Sequence, residues 1–278
     1  MIVKSATLPT DDHTFIRDPY PLLSELREET PVFYDDTTNL WFVTRYDSVR
    51  AVQTDKRFGS TYRHRYSDED FGHTPKHSTY QRYEELEKYS LLILEPPDHS
   101  RIRSLVAKAF QPQEVARLRD FMRAEAARLM DSVGGQGFDL LADVAQPYSI
   151  SIIGKLLGVP QADHKKFLDW SHKIVKMYDL HTSPTDALMA EQAADEFINY
   201  SMSLINDRRA QPRQDLITRL TSVVDGEQQL SDSEIVSTIV LLLNAGHEAT
   251  VNTIGNGITA LLSLFSTTRK AASDVSNT

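Results

Sequence analysis

The 278-residue sequence predicts a mainly α fold with a small β-hairpin near its N-terminus, and three observations carry that prediction. From Pro96 onward, apolar residues recur at helical spacing in segment after segment, punctuated by Gly, Pro and cap-forming residues. Two short runs rich in β-branched and aromatic residues, Pro31-Val32-Phe33-Tyr34 and Leu40-Trp41-Phe42-Val43-Thr44, flank a polar stretch, the pattern of a hairpin. A hydrophobic content of 40% is enough to bury a sizeable core and rules out general disorder. The length suits one large domain or two smaller ones, and no internal repeat or interdomain linker is visible.

In order, a polar arm (residues 1–14) leads to a short helix opened by Asp18-Pro19 and carried by Leu22, Leu23 and Leu26. The hairpin follows, then a helix from Tyr46 to Thr54. Residues 59–90 are polar and aromatic and read as irregular, either a binding loop or a mobile surface loop. Helices are then expected over Asp98–Phe110, Gln113–Ser132, Leu140–Leu157, Asp163–Tyr178, Asp186–Arg209 and Asp215–Val223. The third is expected to kink at Pro147 and stop at Gly158-Val159-Pro160. The last helix starts at Ser231, which stands in capping-box spacing to Glu234. Unbroken to Phe265, it would be on the order of 50 Å long at 1.5 Å per residue. It is apolar nearly all round and is therefore expected to be central and buried. Six of the thirteen residues Ser266–Thr278 are Ser or Thr, which predicts a disordered tail.

Thirty basic against 39 acidic residues give a net charge of −9, which argues against nucleic acid and against an anionic membrane surface as partners. The N-terminus has no apolar leader, and Asn244, His247, Glu248, Asn252 and Asn256 interrupt the longest apolar stretch. A soluble, cytoplasmic protein is expected. Zero cysteines exclude disulfides, thiolate nucleophiles and Cys-ligated metals within these residues.

Several chemical motifs fail on spacing. His247-Glu248 begins an HExxH pattern, but Val251 stands where the second histidine is needed, so no metal site is expected. Gly255-Asn256-Gly257-Ile258-Thr259-Ala260 fits a loose dinucleotide fingerprint inside a helix, without the strand and turn that would aim its amides at phosphate.

Two clusters hold together. In Glu95-Pro96-Pro97-Asp98-His99-Ser100-Arg101-Ile102-Arg103, Asp98 caps a helix, and His99 and Arg103, four residues apart, share one face and can both donate to a carboxylate. An exposed basic face pairing with nearby acids accounts for the same spacing. In Asn244-Ala245-Gly246-His247-Glu248-Ala249-Thr250, a mid-helix glycine costs about 1 kcal/mol against alanine and makes sense where something bulky approaches the backbone. Burying Glu248 is costly unless it is paired or functional. A helix kink with its polar groups turned outward is the alternative.

Together and in this order, the two clusters resemble the soluble bacterial cytochrome P-450 haem-thiolate monooxygenases. Asp18-Pro19-Tyr20, Trp41-Phe42-Val43-Thr44-Arg45-Tyr46 and Gly158-Val159-Pro160 are also similar to that family, and the resemblance covers roughly residues 15–264. It implies the N-terminal part of the cytochrome P-450 fold and a haem b whose propionates His99 and Arg103 hold. It further implies that Ala245 and Gly246 let haem and dioxygen approach the long helix, and that Glu248 belongs to an acid–alcohol pair delivering protons. The family usually places Thr directly after the acid, where this sequence has Ala249, leaving Thr250, ordered water or a substrate hydroxyl as the alcohol.

The resemblance also implies a small apolar substrate, lying between residues 59–90 and the region of Tyr178–Asp186, and a ferredoxin-like electron donor. The family's later ExxR helix and axial-cysteine loop are absent from these residues, so a truncated, inactive monooxygenase is expected, with 266–278 outside the family. Leu241, Leu242, Ile254, Ile258 and Leu261 are expected to include side chains left in water. The alternative is a non-catalytic helical remnant that binds haem or a partner, with His247 or another histidine on the iron.

Overall fold

The two apolar runs near the N-terminus pair as expected. In the computed structural model, β1 (Val32–Asp35) and β2 (Leu40–Val43) are antiparallel, with Phe33 opposite Phe42 and Tyr34 opposite Trp41. The first of these pairs stacks with ring centroids 5.4 Å apart. The structure describes residues 5–62, 66, 67, 70, 79–110, 112–135, 137–179 and 182–276, with 112–114 and 265–276 by backbone alone.

The chain divides into two units, Met1–Tyr62 and Arg63–Thr278. No composition shift in the sequence marks this division. The first unit holds the hairpin, α1 (His13–Arg17), α2 (Tyr20–Glu29) and α3 (Tyr46–Thr54). Helix α1 begins inside the expected polar arm, because the Asp12 carboxylate accepts from the Thr14 and Phe15 amides and caps a turn.

The second unit is helical. Its elements are α4 (Gln81–Glu87), α5 (Asp98–Ala109), α6 (Pro112–Val133), α7 (Gln146–Leu157), α8 (His164–Val175), α9 (Pro184–Ala210), α10 (Leu216–Ser222) and α11 (Asp232–Ser276). Helix α4 corrects the irregular reading of residues 59–90 at its C-terminal end; residues 63–65, 68, 69 and 71–78 of that segment lie outside the described residues. The expected kink at Pro147 takes the form of a π-helical turn, Leu140–Ala145, which hands over to α7 one residue before the proline. The ring cannot donate to the preceding turn, so the hydrogen-bond pattern changes there. A two-residue hairpin, β3 (Val224–Asp225) with β4 (Gln228–Gln229), was not expected and turns on Gly226 at φ 62°.

One core joins Ile102 and Leu105 of α5, Leu157 of α7, Phe167 and Ile174 of α8, Phe197 and Ile205 of α9, and Ile235, Ile239 and Leu243 of α11. Helix α7 ends where predicted. Gly158 takes φ 89°, a left-handed conformation that L side chains rarely adopt, and its amide bonds to the Gly154 carbonyl. A Cβ there would lie 2.1 Å from Asp215 Oδ2. That carboxylate is held by Arg208 Nε at 2.6 Å, both side chains being buried, and Arg208 Nη2 donates to the Gly158 carbonyl. The ends of α7, α9 and α10 are thereby tied together.

Helix α11 begins with the capping box. The Ser231 amide donates to Glu234 Oε2 and the Glu234 amide to Ser231 Oγ. Its 45 residues span about 68 Å. The helix therefore continues past Phe265, and the expected disordered tail is helical backbone to Ser276. After Gly257 no Gly or Pro interrupts it, and Arg269-Lys270-Ala271-Ala272 are strong helix formers. The expectation of burial along the whole helix holds only as far as Val251; Ile258, Leu261, Leu262 and Leu264 are exposed.

Candidate functional site

The centre of α11 inverts ordinary amphipathicity. Asn244 and His247 are buried, while Ala245 and Ala249, one turn apart, are exposed. The polar side chains turn inward, where Asn244 is satisfied at Oδ1 while its Nδ2 is buried without a partner among the described residues. Ser171 Oγ of α8 donates to Asn244 Oδ1 at 2.8 Å, and His247 Nδ1 lies 2.7 Å from Ser149 Oγ of α7. His247 Nε2 lies 3.4 Å from His172 Nε2 of α8, and that same His172 nitrogen lies 3.5 Å from Glu248 Oε1. Burial, with a smaller contribution from His172, pushes the His247 imidazole down to about 4.

Gly246 faces α7. A Cβ on it would lie 3.0 Å from Ile153 Cδ1 and 3.2 Å from Cγ1. The close approach that the glycine permits is therefore between two helices, and the open position belongs to Ala245.

The expected acid–alcohol pair is not brought together. Residues two apart on a helix stand roughly 200° apart around its axis, so Glu248 and Thr250 occupy opposite flanks. Glu248 turns to His172 on the α8 side. Thr250 Oγ1 donates back to the Gly246 carbonyl at 2.8 Å on the α7 side. The spacing alone contained this result.

On α5, His99 is half-buried and Arg103 exposed, and neither side chain has a hydrogen-bond or ion-pair partner among the described residues. Their neighbour Arg101 is committed to Glu234 at the start of α11, which fixes one end of α5 to the central helix.

An open cleft of about 720 Å³ lies between α4 and the segment after α8, lined by Tyr83, Glu87, Ile93 and Tyr178 among others. The Tyr178 hydroxyl donates to Glu87 Oε1 at 2.9 Å. Burial raises the Glu87 carboxyl above its usual range, against the pull of that hydrogen bond. The C-terminal part of residues 59–90 and Tyr178 thus adjoin at this cleft.

A family model described as Cytochrome P450 matches residues 34–277. The chain belongs to the cytochrome P450 family. The match extends into residues 266–277, which the sequence reading set apart. Among curated relatives, Polyketide biosynthesis cytochrome P450 PksS of Bacillus subtilis is 32% identical over 257 residues, covering 89% of this chain and 61% of the relative. Cytochrome P450 monooxygenase PikC of Streptomyces venezuelae is 35% identical over 258 residues, covering 90% and 57%. The chain thus spans about three fifths of the length of these P450 relatives.

The structure of P450BioI in complex with an acyl carrier protein ligated to hexadec-9Z-enoic acid superposes with a TM-score of 0.82. It is 27% identical, with 92% of this chain and 64% of that one covered. The solved PksS structure superposes at 0.77 with 30% identity, covering 93% and 63%. No helix among the described residues is long and apolar enough to cross a membrane.

The P450 family implies a haem. The chain's own groups fit one in two respects: the small-residue strip Ala245/Ala249 can lie against a flat macrocycle, and His99 with Arg103 can receive two carboxylates. The chain contains no cysteine to serve as axial thiolate. His247, the alternative iron ligand of the sequence reading, is withdrawn from the Ala245 face, with both ring nitrogens turned to α7 and α8.

Proposed function

We propose that this chain builds the oxygen-side helix and the propionate-binding helix of a haem-dependent monooxygenase acting on a small apolar organic substrate. The observation that carries the proposal is the exposure of Ala245 and Ala249 within the stretch of α11 from Glu234 to Val251, where every other residue is buried or half-buried. Exposing alanine while burying asparagine and histidine is costly unless that face is reserved for a partner group. Bound haem would supply the iron at which dioxygen is activated, one oxygen atom entering the substrate and the other leaving as water, with two electrons from a donor and two protons.

The chain's residues have definable parts in this. His99 and Arg103 donate to the propionates, charge-assisted hydrogen bonds worth about 1.5–3 kcal/mol each where they are desolvated. Ala245 and Ala249 leave the helix surface flat. Glu248, half-exposed on the flank between α8 and the open strip, holds a proton-exchangeable carboxylate whose Oε1 is oriented by His172. Thr250, occupied with its own helix, takes no part, and an ordered water or a substrate hydroxyl serves beside Ala249. The cleft around Tyr83 and Tyr178 supports an apolar substrate entering along α4. A ferredoxin-like protein is proposed as the electron donor and the cytoplasm as the location.

Without a cysteine, the 278 residues by themselves lack the ligand that drives O–O cleavage, so we propose that they do not turn over substrate. The test is a haem titration of the purified chain, followed by the absorption spectrum of the reduced, carbon-monoxide-bound form. One saturable haem per chain without the thiolate signature is expected, with affinity falling at least about tenfold, or 1.4 kcal/mol, in a His99→Ala/Arg103→Ala variant. No saturable binding, or equal affinity in the variant, overturns the assignment of α5 and α11. A hydroxylated product from the purified chain overturns the proposed inactivity.

A further inference from the structure

We propose that His172, His247 and Glu248 form a binding site for one transition-metal dication, with Zn²⁺ as its best occupant. The sequence offered His247-Glu248 but no second histidine on the same helix; the fold supplies it from α8.

Geometry is the first argument. One ligand atom from each residue can be chosen so that all three lie within 4.8 Å of one another. The two shortest separations are 3.4 Å between the imidazole Nε2 atoms and 3.5 Å from His172 Nε2 to the carboxylate. Tetrahedral Zn²⁺ with bonds of about 2.0–2.1 Å places neighbouring ligand atoms about 3.3–3.4 Å apart. Those two edges therefore already have nearly the required length, and small side-chain rotations close the third.

The second argument is the hydrogen bonding behind the ligands. In the proposed site the Ser149 hydroxyl donates to the Gln146 carbonyl, 3.3 Å away, and its oxygen accepts from His247 Nδ1–H at 2.7 Å, the tautomer that leaves the Nε2 lone pair facing His172. A ligating imidazole held through its other nitrogen is the usual outer arrangement of histidine metal sites.

Third, access and charge are right. His247 is buried and rigid on α11, while the His172 and Glu248 side chains are 42% and 37% exposed, which leaves an entry path and a fourth, open coordination position. His172 lies in the last turn of α8, where unpaired carbonyls favour positive charge. Two imidazoles and one carboxylate select zinc, copper or nickel over magnesium or calcium. An ion bound here takes the Glu248 carboxylate, so occupancy would compete with any proton-carrying role of that residue. The site itself stands whether or not the chain takes haem.

The experiment is equilibrium dialysis of the apo chain against Zn²⁺ at pH 7.5 in a large excess of Mg²⁺, with Co²⁺ as a spectroscopic substitute. One Zn²⁺ per chain is expected, with an intense visible d–d band for Co²⁺ at low coordination number. His172→Ala and Glu248→Gln, both at half-exposed positions, should each weaken binding at least about tenfold with an unchanged far-ultraviolet circular dichroism spectrum. Ser149→Ala, which touches no ligand position, should weaken it by about 10–100-fold. Absence of stoichiometric binding at ~100 µM Zn²⁺ would overturn the site. So would binding that survives both His172→Ala and Glu248→Gln, since another set of histidines would then be responsible.

Discussion

Acidification should unfold this chain through His247, and the size of the effect follows from where the ring sits. It is 1% exposed, accepted by Ser149 and faced by a second histidine, so protonation would place a charge among buried groups. In the unfolded chain it titrates near 6.5, and in the folded chain near 4. The folded-state value is depressed, so the unfolded chain binds the proton first. Stability from this residue is complete above pH 6.5 and is lost as pH falls toward 4. By linkage the total is about 3 kcal/mol, of which about 2 kcal/mol is gone at pH 5. His164, also depressed by burial, adds loss of the same sign, while Glu87, raised by burial, works in the opposite direction.

Subtraction removes both. Urea unfolding of the wild-type chain and of His247→Gln, in chelator at pH 7.5, 6.5, 5.5 and 5.0, should give a difference in unfolding free energy that is constant above pH 6.5. Below it the difference should shift by about 2 kcal/mol in favour of the variant at pH 5. Parallel curves across this range would refute the reasoning, because His247 would then be protonated in the folded state at no cost.

Two further substitutions probe close packing. Gly158→Ala combines a left-handed backbone, costing about 1–2 kcal/mol for an L residue, with displacement of Asp215 from buried Arg208, about 3–5 kcal/mol; chemical denaturation should show a loss of about 4 kcal/mol or more, and a loss under 1 kcal/mol would mean that the carboxylate moves aside freely. Gly246→Ala should cost about 1 kcal/mol, the overpacking against Ile153 (about 1–3 kcal/mol) exceeding the gain in helix propensity, and in an Ile153→Ala background the same change should become stabilising, a sign reversal read from a double-mutant cycle.

Local rules located the elements where local chemistry decides them. Ser231 with Glu234, and Gly158 after an apolar helix, stopped and started helices where expected because caps satisfy backbone groups within a few residues. The same rules called for a close approach at Gly246 but could not name its neighbour Ile153, 93 positions earlier on another helix. They were equally silent on His172, an unremarkable half-exposed residue until α8 packs beside α11. Composition misled at Ser266–Ser276, where Ser and Thr content suggested disorder although no breaker was present. The clearest missed signal was available without any structure: an acid and an alcohol at i and i+2 on one helix cannot face each other.

The direction in which α11 presents its residues decides how its motif should be understood. A buried helix with Asn244, His247 and Glu248 at its centre could be read as a polar site opening toward a ligand. The structure instead spends Asn244 on Ser171, His247 on Ser149 and His172, and Glu248 on His172, all toward α7 and α8. These residues hold three helices in register and leave Ala245 and Ala249, whose side chains make no directional bond, exposed beside half-exposed Glu248 and exposed Asn252. Two alanines at the centre of a polar-latched helix leave room for a flat group that brings its own chemistry. By the same logic the polar latch, with two facing imidazole nitrogens and a carboxylate, is where the chain's own coordinating chemistry resides. The two faces of one helical turn are therefore separable by mutation. Replacing Ala249 with a bulky residue should block the first and spare metal binding, whereas His172→Ala should do the reverse.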